Sequence, residues 1–422
     1  MQILLHVLCP SLTYFEEGTF CIDKYHELTC DKSFIDGHYY SEKAPLPTFF
    51  VLPIFGTMLK TGIIDADANG SLFGSHIYIL GGILAGSIPF VLMILFIFVK
   101  IDQHDNNISP VLLSMLPFYA SFLFVFTGSY FAHLFSGIFL LGSFIYLKKE
   151  KYFISGIFAG MSFISEFNLA VIFIVWGGLM IYQYRSLKPL LRFGLGSLPS
   201  LIIILIYNYN FTGSPFEMLY KYCIFDQHST NYGFILPGPE SIWGLSFSWY
   251  RGVFFFAPFL ILLLLLAYRK FNKIRSRFLT NNFLVLPSIV YFLFISSFYA
   301  WWGGWTYGPR FLTGLVILLT YEGILYISKN PFNKPLLFTL IIFGILCAFM
   351  AKATIVYSAP TEESNPLFNL VIPSFLKGDF NPNNILTMLF NLSPVYSFIV
   401  FIVLFFGSLG WLVHFHQKYL KS

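Results

Sequence analysis

Long apolar runs follow one another along this chain with only short, mostly basic links between them. That alternation restricts the fold more than any motif does. Crossing the hydrocarbon core of a bilayer takes roughly 20 predominantly apolar residues in helical form. Runs near that length lie at 76–99, 110–127, 129–147, 152–165, 167–183, 189–208, 253–268, 283–300, 311–327, 335–356 and 395–415. The stretch 152–165 is short and glycine-spotted, so it and 167–183 read either as two tilted spans or as one re-entrant hairpin. Both options leave and return on the same side. Only 11% of the residues are charged and 57% are apolar, against about 25% charged in soluble domains. Soluble enzymes, disordered chains and nucleic-acid binders are excluded. The expected fold is an all-α polytopic integral membrane protein, a single transmembrane domain over 1–422 with about 11 transmembrane helices.

The net charge of +5 matters less than its distribution. Lys and Arg in short loops mark the cytoplasmic side. They cluster at Lys148, Lys149 and Lys151, at Arg185, Lys188 and Arg192, at Arg269, Lys270, Lys273, Arg275 and Arg277, at Lys329 and Lys334, and at Lys418 and Lys421. With eleven spans every cluster falls on one face; together with Lys100 they make 16 of the 25 basic residues, against the acids Asp102, Asp105 and Glu150. The opposite face holds 16 of the 20 acids. The expected topology is therefore multi-pass with a cytoplasmic C-terminus.

Long segments at 1–72, 209–250 and 357–394 then lie outside, with short exits at 128, at Glu166 and at 301–310. The cytoplasmic side has brief turns and no nucleotide-binding loop, which argues against an ATP-driven pump. Within the first loop, Ala44 to Gly56 is apolar but carries several prolines, and an interfacial or re-entrant helix is expected there. Cys21 and Cys30 lie nine residues apart in the same loop, and a disulfide between them is chemically allowed in an oxidising compartment.

The residue types suited to chemistry gather in the outer segments. Seven acids fall between Glu16 and Glu42, among them Glu17, Asp23 and Asp36. A carboxylate against an apolar surface has a raised pKa, which suits a general base; a solvated loop face is the ordinary alternative for each. Glu166 is the single ionisable residue between two apolar runs, and boundary carboxylates of that kind tend to be functional. His133 sits near the outer end of its expected helix and reads as a site residue or as a packed histidine. The turn Trp301-Trp-Gly-Gly-Trp-Thr-Tyr-Gly-Pro-Arg310 exceeds an ordinary aromatic belt. The faces of Trp301, Trp302, Trp305 and Tyr307 suit sugar C–H surfaces, and Arg310 suits a bidentate grip on phosphate. Arg251 closes a similar aromatic stretch at 237–252. Lipid-headgroup anchoring is the alternative for both arginines. The acids admit a divalent cation, although no ligand spacing names a metal and no cofactor is certain.

The ordered motifs Tyr14-Phe-Glu-Glu-Gly-Thr, Ile22-Asp23, Asp36-Gly-His-Tyr-Tyr-Ser-Glu-Lys-Ala-Pro, Tyr207-Asn-Tyr-Asn-Phe-Thr-Gly-Ser-Pro, Tyr250-Arg-Gly-Val-Phe-Phe-Phe-Ala-Pro and Trp301-Trp-Gly-Gly-Trp-Thr-Tyr-Gly-Pro-Arg resemble one bacterial family. It is the GT-C class of membrane glycosyltransferases, specifically the proteins similar to dolichyl-phosphate-mannose–protein mannosyltransferases, called family 39-like. The resemblance runs from about residue 12 to the last apolar run.

The resemblance implies an inverting transfer of sugar from a polyprenyl-phosphate donor to a lipid-linked glycan, a lipid or a protein at the outer face of the inner membrane. A first-loop carboxylate, among Glu16, Glu17, Asp23 and Asp36, would be the base. Lys43, Arg251 and Arg310 would hold phosphate and orient the donor, and Glu166 and His133 would line the cavity. GT-C chains open with a full spanning helix, whereas the stretch before Glu16 here is too short to span, and Glu42-Lys-Ala-Pro-Leu46 departs from the family's DKAPG-like stretch. A transporter or flippase of lipid-linked sugar and a catalytically inactive relative are the alternatives.

Overall fold

A computed structural model describes residues 5–63, 71–101, 108–225, 231–269, 283–355 and 358–421. Of the described residues 71% are helical, with very little strand among them. Among the described residues, six helices are long and apolar enough to cross a membrane: His76–Phe98, Phe167–Tyr184, Lys188–Thr212, Arg310–Lys329, Lys334–Thr354 and Pro394–Lys418. This is a membrane-embedded, all-α protein. Each remaining expected run contains helix, but shorter. Run 110–127 divides into Pro110–Tyr119 and Phe122–Val125, with Pro117 inside the first helix. Run 253–268 divides into Val253–Phe256 and Phe259–Arg269 around Pro258, whose missing N–H ends the first helix. Of the expected cytoplasmic charges, Asp102, Asp105 and the stretch Lys270–Arg277 lie outside the described residues.

The contacts divide the chain into two compact units. Unit one comprises 1–89, 128–242 and 277–301. Its tightest seam joins Tyr152–Phe163 to Lys188–Thr212 through small residues. A Cβ on Gly156 would lie 1.9 Å from the Phe193 carbonyl oxygen, and one on Gly196 would lie 2.0 Å from that of Phe153. Gly156 and Gly160 form a G-x-x-x-G stripe facing Gly196 and Ser200, and lipid-embedded helices approach closely through such stripes. Gly156→Val is therefore expected to lower stability by about 3 kcal/mol, the upper end of overpacking costs. Gly178→Ala, at an open helical position, should cost nothing. Thermal unfolding in detergent compares the two, and coincident midpoints would remove the seam from the packing argument.

The ends of unit one differ in character. At one end, Tyr184 Oη donates to Glu150 Oε1 at 3.2 Å, joining two of the basic turns. At the other, the loop preceding Leu46–Lys60 is tied down: Leu46 N–H donates to Ile164 O at 3.1 Å and Tyr130 Oη to Pro47 O at 3.2 Å. The Leu46–Lys60 helix, expected from Ala44 to Gly56, runs unbroken through Pro53 and buries Pro47, Thr48, Val51, Leu52 and Phe55 along one face. A two-stranded hairpin, Lys32–Ile35 with His38–Ser41, docks at this same end. Ser33 Oγ donates to Leu219 O at 2.6 Å, and Ile224 N–H to Lys32 O at 3.2 Å. The outer segments of this unit thus meet one another, and so do the two basic turns at 148–151 and 185–188.

Unit two comprises 90–127, 243–276 and 302–422. Its long helices Lys334–Thr354 and Pro394–Lys421 pack through a Phe cluster, in which Phe349 stacks on Phe401 at 5.1 Å. Tyr250 Oη donates to Thr361 O at 2.9 Å, and Ser109 N–H to His416 Nδ1 at 3.1 Å. Segments assigned to the same side in the sequence again meet here.

Candidate functional site

Four clusters hold the chemistry-bearing side chains, three in unit one and one in unit two. The first follows the hairpin. Lys43 Nζ lies 2.7 Å from Glu42 Oε1 and 3.1 Å from Asp31 Oδ1, and 5.7 Å from the centre of the Tyr220 ring. The Glu42 side chain is wholly buried, while that of Lys43 is 29% exposed. Burial alone would lower the Lys43 ammonium, but Asp31 and Glu42 outweigh it and hold it above the ordinary lysine range. Burial raises the Glu42 carboxyl against the opposing pull of Lys43. The Cys223 thiol is also pushed up, first by burial and then by Glu42.

Lys43→Met would leave Glu42 buried without its cation. Breaking a buried pair costs about 3–5 kcal/mol, and the partial exposure of Lys43 reduces this to roughly 2–3 kcal/mol at neutral pH. A carboxyl with a raised folded pKa binds its proton more readily folded than unfolded. The deficit should therefore shrink as pH falls and Glu42 protonates. Unfolding midpoints at neutral and mildly acidic pH test this, and a deficit independent of pH would remove Glu42 as its cause.

The second cluster is buried in the helix ends. His133 Nδ1 lies 3.1 Å from Glu166 Oε1, and Ser136 Oγ donates to Glu166 Oε2 at 2.7 Å. Ser162 Oγ donates to Ser136 O at 3.0 Å and holds the two helices in register. His133 opens the helix Ala132–Lys148, and Glu166 occupies the turn between Tyr152–Phe163 and Phe167–Leu169. Both residues are 8% exposed. Two residues singled out separately in the sequence thus form one pair. The Leu46–Ile164 hydrogen bond ties the loop that carries Lys43 to this same turn.

The remaining first-loop acids do not converge on that pair. Glu16 is engaged by Lys24 Nζ at 2.7 Å and Tyr25 Oη at 2.7 Å. Glu17 is exposed at the end of the helix Leu5–Glu17. Asp36 occupies the hairpin turn with φ +50°, exposed to solvent. Asp23 belongs to a third cluster: its Oδ2 lies 2.7 Å from His38 Nδ1, and Cys21 Sγ lies 3.6 Å from the same nitrogen. No disulfide links Cys21 and Cys30; both are free. Cys21 pairs instead across the chain with Tyr40, and that register turns it toward His38.

In unit two the aromatic–glycine turn is organised around Arg251. This residue is 0% exposed and its guanidinium donates to three backbone carbonyls: Nε to Trp302 at 3.0 Å, Nη1 to Tyr250 at 2.9 Å and Nη2 to Gly304 at 3.2 Å. It also stacks on the Tyr250 ring at 4.0 Å. Burial lowers its pKa to about 10. The expected phosphate grip is corrected: the guanidinium holds the turn together from within. Arg310 is 8% exposed and runs along the same turn, its Cγ 3.0 Å from where a Gly303 Cβ would stand. Gly303 and Gly304 take φ +77° and +69°, which favours glycine at both, and at Gly303 a Cβ would also press on the Arg310 side chain.

The aromatic platform is corrected in part. Tyr307 is 1% exposed, meets Phe256 edge to face and donates to Cys347 O at 3.4 Å; Trp301 is 8% exposed. Both are packed inward and present no face to a sugar. Trp302 is half-buried, with its carbonyl occupied by Arg251, and Trp305 remains 39% exposed.

Sequence reading passed over Glu42 as the anchor of Lys43, and over Lys352. The latter donates to the carbonyls of Val125 and Thr127 at and just past the end of the short helix Phe122–Val125. The available signal was a lone cation inside the apolar run 335–356. Set beside protein-family models, curated proteins and solved structures, the chain matches none of them.

Proposed function

We propose that this protein is a GT-C-type, inverting glycosyltransferase that moves a sugar from a polyprenyl-phosphate donor to a lipid-linked glycan, lipid or protein acceptor. The proposal includes eleven spans, residence in the inner membrane with the reaction on its outer face, and a cytoplasmic C-terminus. One observation carries it: the His133–Glu166 pair, buried in the helix ends, with the acid-rich first loop tied to the same turn through Leu46 and Ile164. A membrane body with a carboxylate–imidazole pair at its polar end suits proton removal from an acceptor hydroxyl. With Nδ1 lying 3.1 Å from Glu166 Oε1, the imidazole is left with Nε2 as proton acceptor, and the nearby carboxylate steadies the imidazolium that forms. Transfer without a nucleotide donor also agrees with the brevity of the basic turns. Arg310 keeps the role of a phosphate cation within its own unit. A divalent cation is admitted and not required.

The test is mass spectrometry of envelope glycolipids and glycoproteins from cells with and without the gene, together with turnover of polyprenyl-phosphate sugars by purified protein. Loss of one hexose or pentose unit, restored by the wild-type chain, is the expected result. Unchanged glycans and no donor consumption would overturn the reading. Donor lipid accumulating on one leaflet would favour a flippase instead.

A further inference from the structure

We propose that Cys21, Asp23 and His38 form a zinc-binding site on the first loop, with its fourth coordination position open to solvent. Three donors of different chemistry converge there, and their ligand atoms all lie within 4.8 Å of one another. Zinc binds thiolate sulfur at about 2.3 Å and imidazole nitrogen at about 2.0–2.1 Å. At a tetrahedral angle those lengths set sulfur and nitrogen about 3.6 Å apart. The Cys21 Sγ to His38 Nδ1 distance is 3.6 Å. The Asp23 Oδ2 to His38 Nδ1 distance of 2.7 Å is that of a hydrogen bond. It has to open by about 0.6 Å to admit the ion, a small side-chain rotation at a carboxylate that is 43% exposed.

The backbone prepares this arrangement before any ion arrives. Ile22 N–H donates to Tyr39 O at 2.7 Å, and Cys21 pairs with Tyr40, so residues 21–23 run along the second hairpin strand. Tyr39 N–H donates to Asp23 Oδ1 at 2.6 Å and leaves Oδ2 aimed at His38. Outer contacts of this kind orient the ligands of natural metal sites. The donor set selects the metal class: a thiolate with an imidazole favours zinc over magnesium or calcium, which take oxygen ligands.

Zinc takes cysteine as the thiolate. Binding therefore displaces a proton: the S–H bond breaks, the electron pair stays on sulfur and forms the S–Zn bond, and the proton leaves to solvent. No oxidation or reduction is involved. The ion would clamp residues 21–23 to the hairpin, and its open position would take water or an anionic ligand. This assignment stands apart from the glycosyl-transfer reading, because it rests on the loop alone.

The test uses the full-length protein in detergent, stripped with a chelator and kept reduced. After reloading with excess zinc, one zinc per chain should remain after desalting, as measured by plasma mass spectrometry. Cobalt should give a thiolate-to-metal charge-transfer band. Cys21→Ser should abolish that band, and His38→Ala should weaken zinc binding by about 100-fold or more, a loss beyond that of a supporting contact. Cys30→Ser should bind as the wild type does. The assignment fails if zinc is substoichiometric, if cobalt binds without the band, or if Cys21→Ser and His38→Ala retain wild-type affinity.

Discussion

Arg251→Leu is expected to unfold the aromatic–glycine turn and to cost the protein at least about 3 kcal/mol. A buried carbonyl left without its donor costs roughly 1–3 kcal/mol. Arg251 serves three, those of Tyr250, Trp302 and Gly304. Leucine fills part of the volume and replaces none of these bonds. Arg251→Lys should fare little better: one ammonium cannot reproduce a planar fork that reaches carbonyls on two segments some fifty residues apart in sequence, and the stacking on Tyr250 is lost as well. Thermal unfolding in detergent and limited proteolysis within 301–310 give the readout. Arg310→Leu provides the contrast, since its larger effect should fall on activity. If Arg251→Lys melted with the wild type, the three carbonyl contacts would not be holding the turn.

That expectation reverses what the sequence suggested, and the reason is physical. An arginine at the end of an aromatic stretch beside an apolar run looks the same whether it grips a headgroup or a carbonyl. The distinction depends on Gly303 and Gly304 taking left-handed conformations that turn their backbone toward it. Pattern reading is equally blind to the inward turn of Trp301 and Tyr307, because aromatic content says nothing about depth. Legibility was better where chemistry alone decides. The charge bias grouped segments that meet in the fold: Glu150 with Tyr184, Tyr250 with Thr361, and Ser109 with His416. Glu166 stood out because a carboxylate between two apolar runs requires a partner. Its pairing with His133, thirty-three positions away, needed the tertiary structure. The Cys21–Asp23–His38 cluster depends on strand register, which spacing alone does not determine. Pro258 explains why the expected span 253–268 is divided, and it was visible in the sequence.

Glu166→Gln should reduce sugar transfer by about 100-fold or more while leaving the fold intact, because general acid–base groups contribute about 10²–10⁴ in rate. The amide retains the shape of the carboxylate, so Ser136 Oγ can still donate to its oxygen. What it loses is the negative charge 3.1 Å from His133 Nδ1. An imidazole facing an amide is no longer favoured to accept a proton at its other nitrogen. The loss should therefore fall on kcat, with KM for the donor little changed. His133→Gln should show a comparable loss, and the double variant should be no slower than either single one, since the two residues act as a unit. Asp36→Asn, at the exposed hairpin turn, should keep near-wild-type turnover. Where the wild-type chain transfers sugar and Glu166→Gln does so within threefold of it, the proton acceptor lies elsewhere and the pair is a structural contact. Losses that multiply in the double variant would mean that Glu166 and His133 act separately, and the shared role assigned to them would fall.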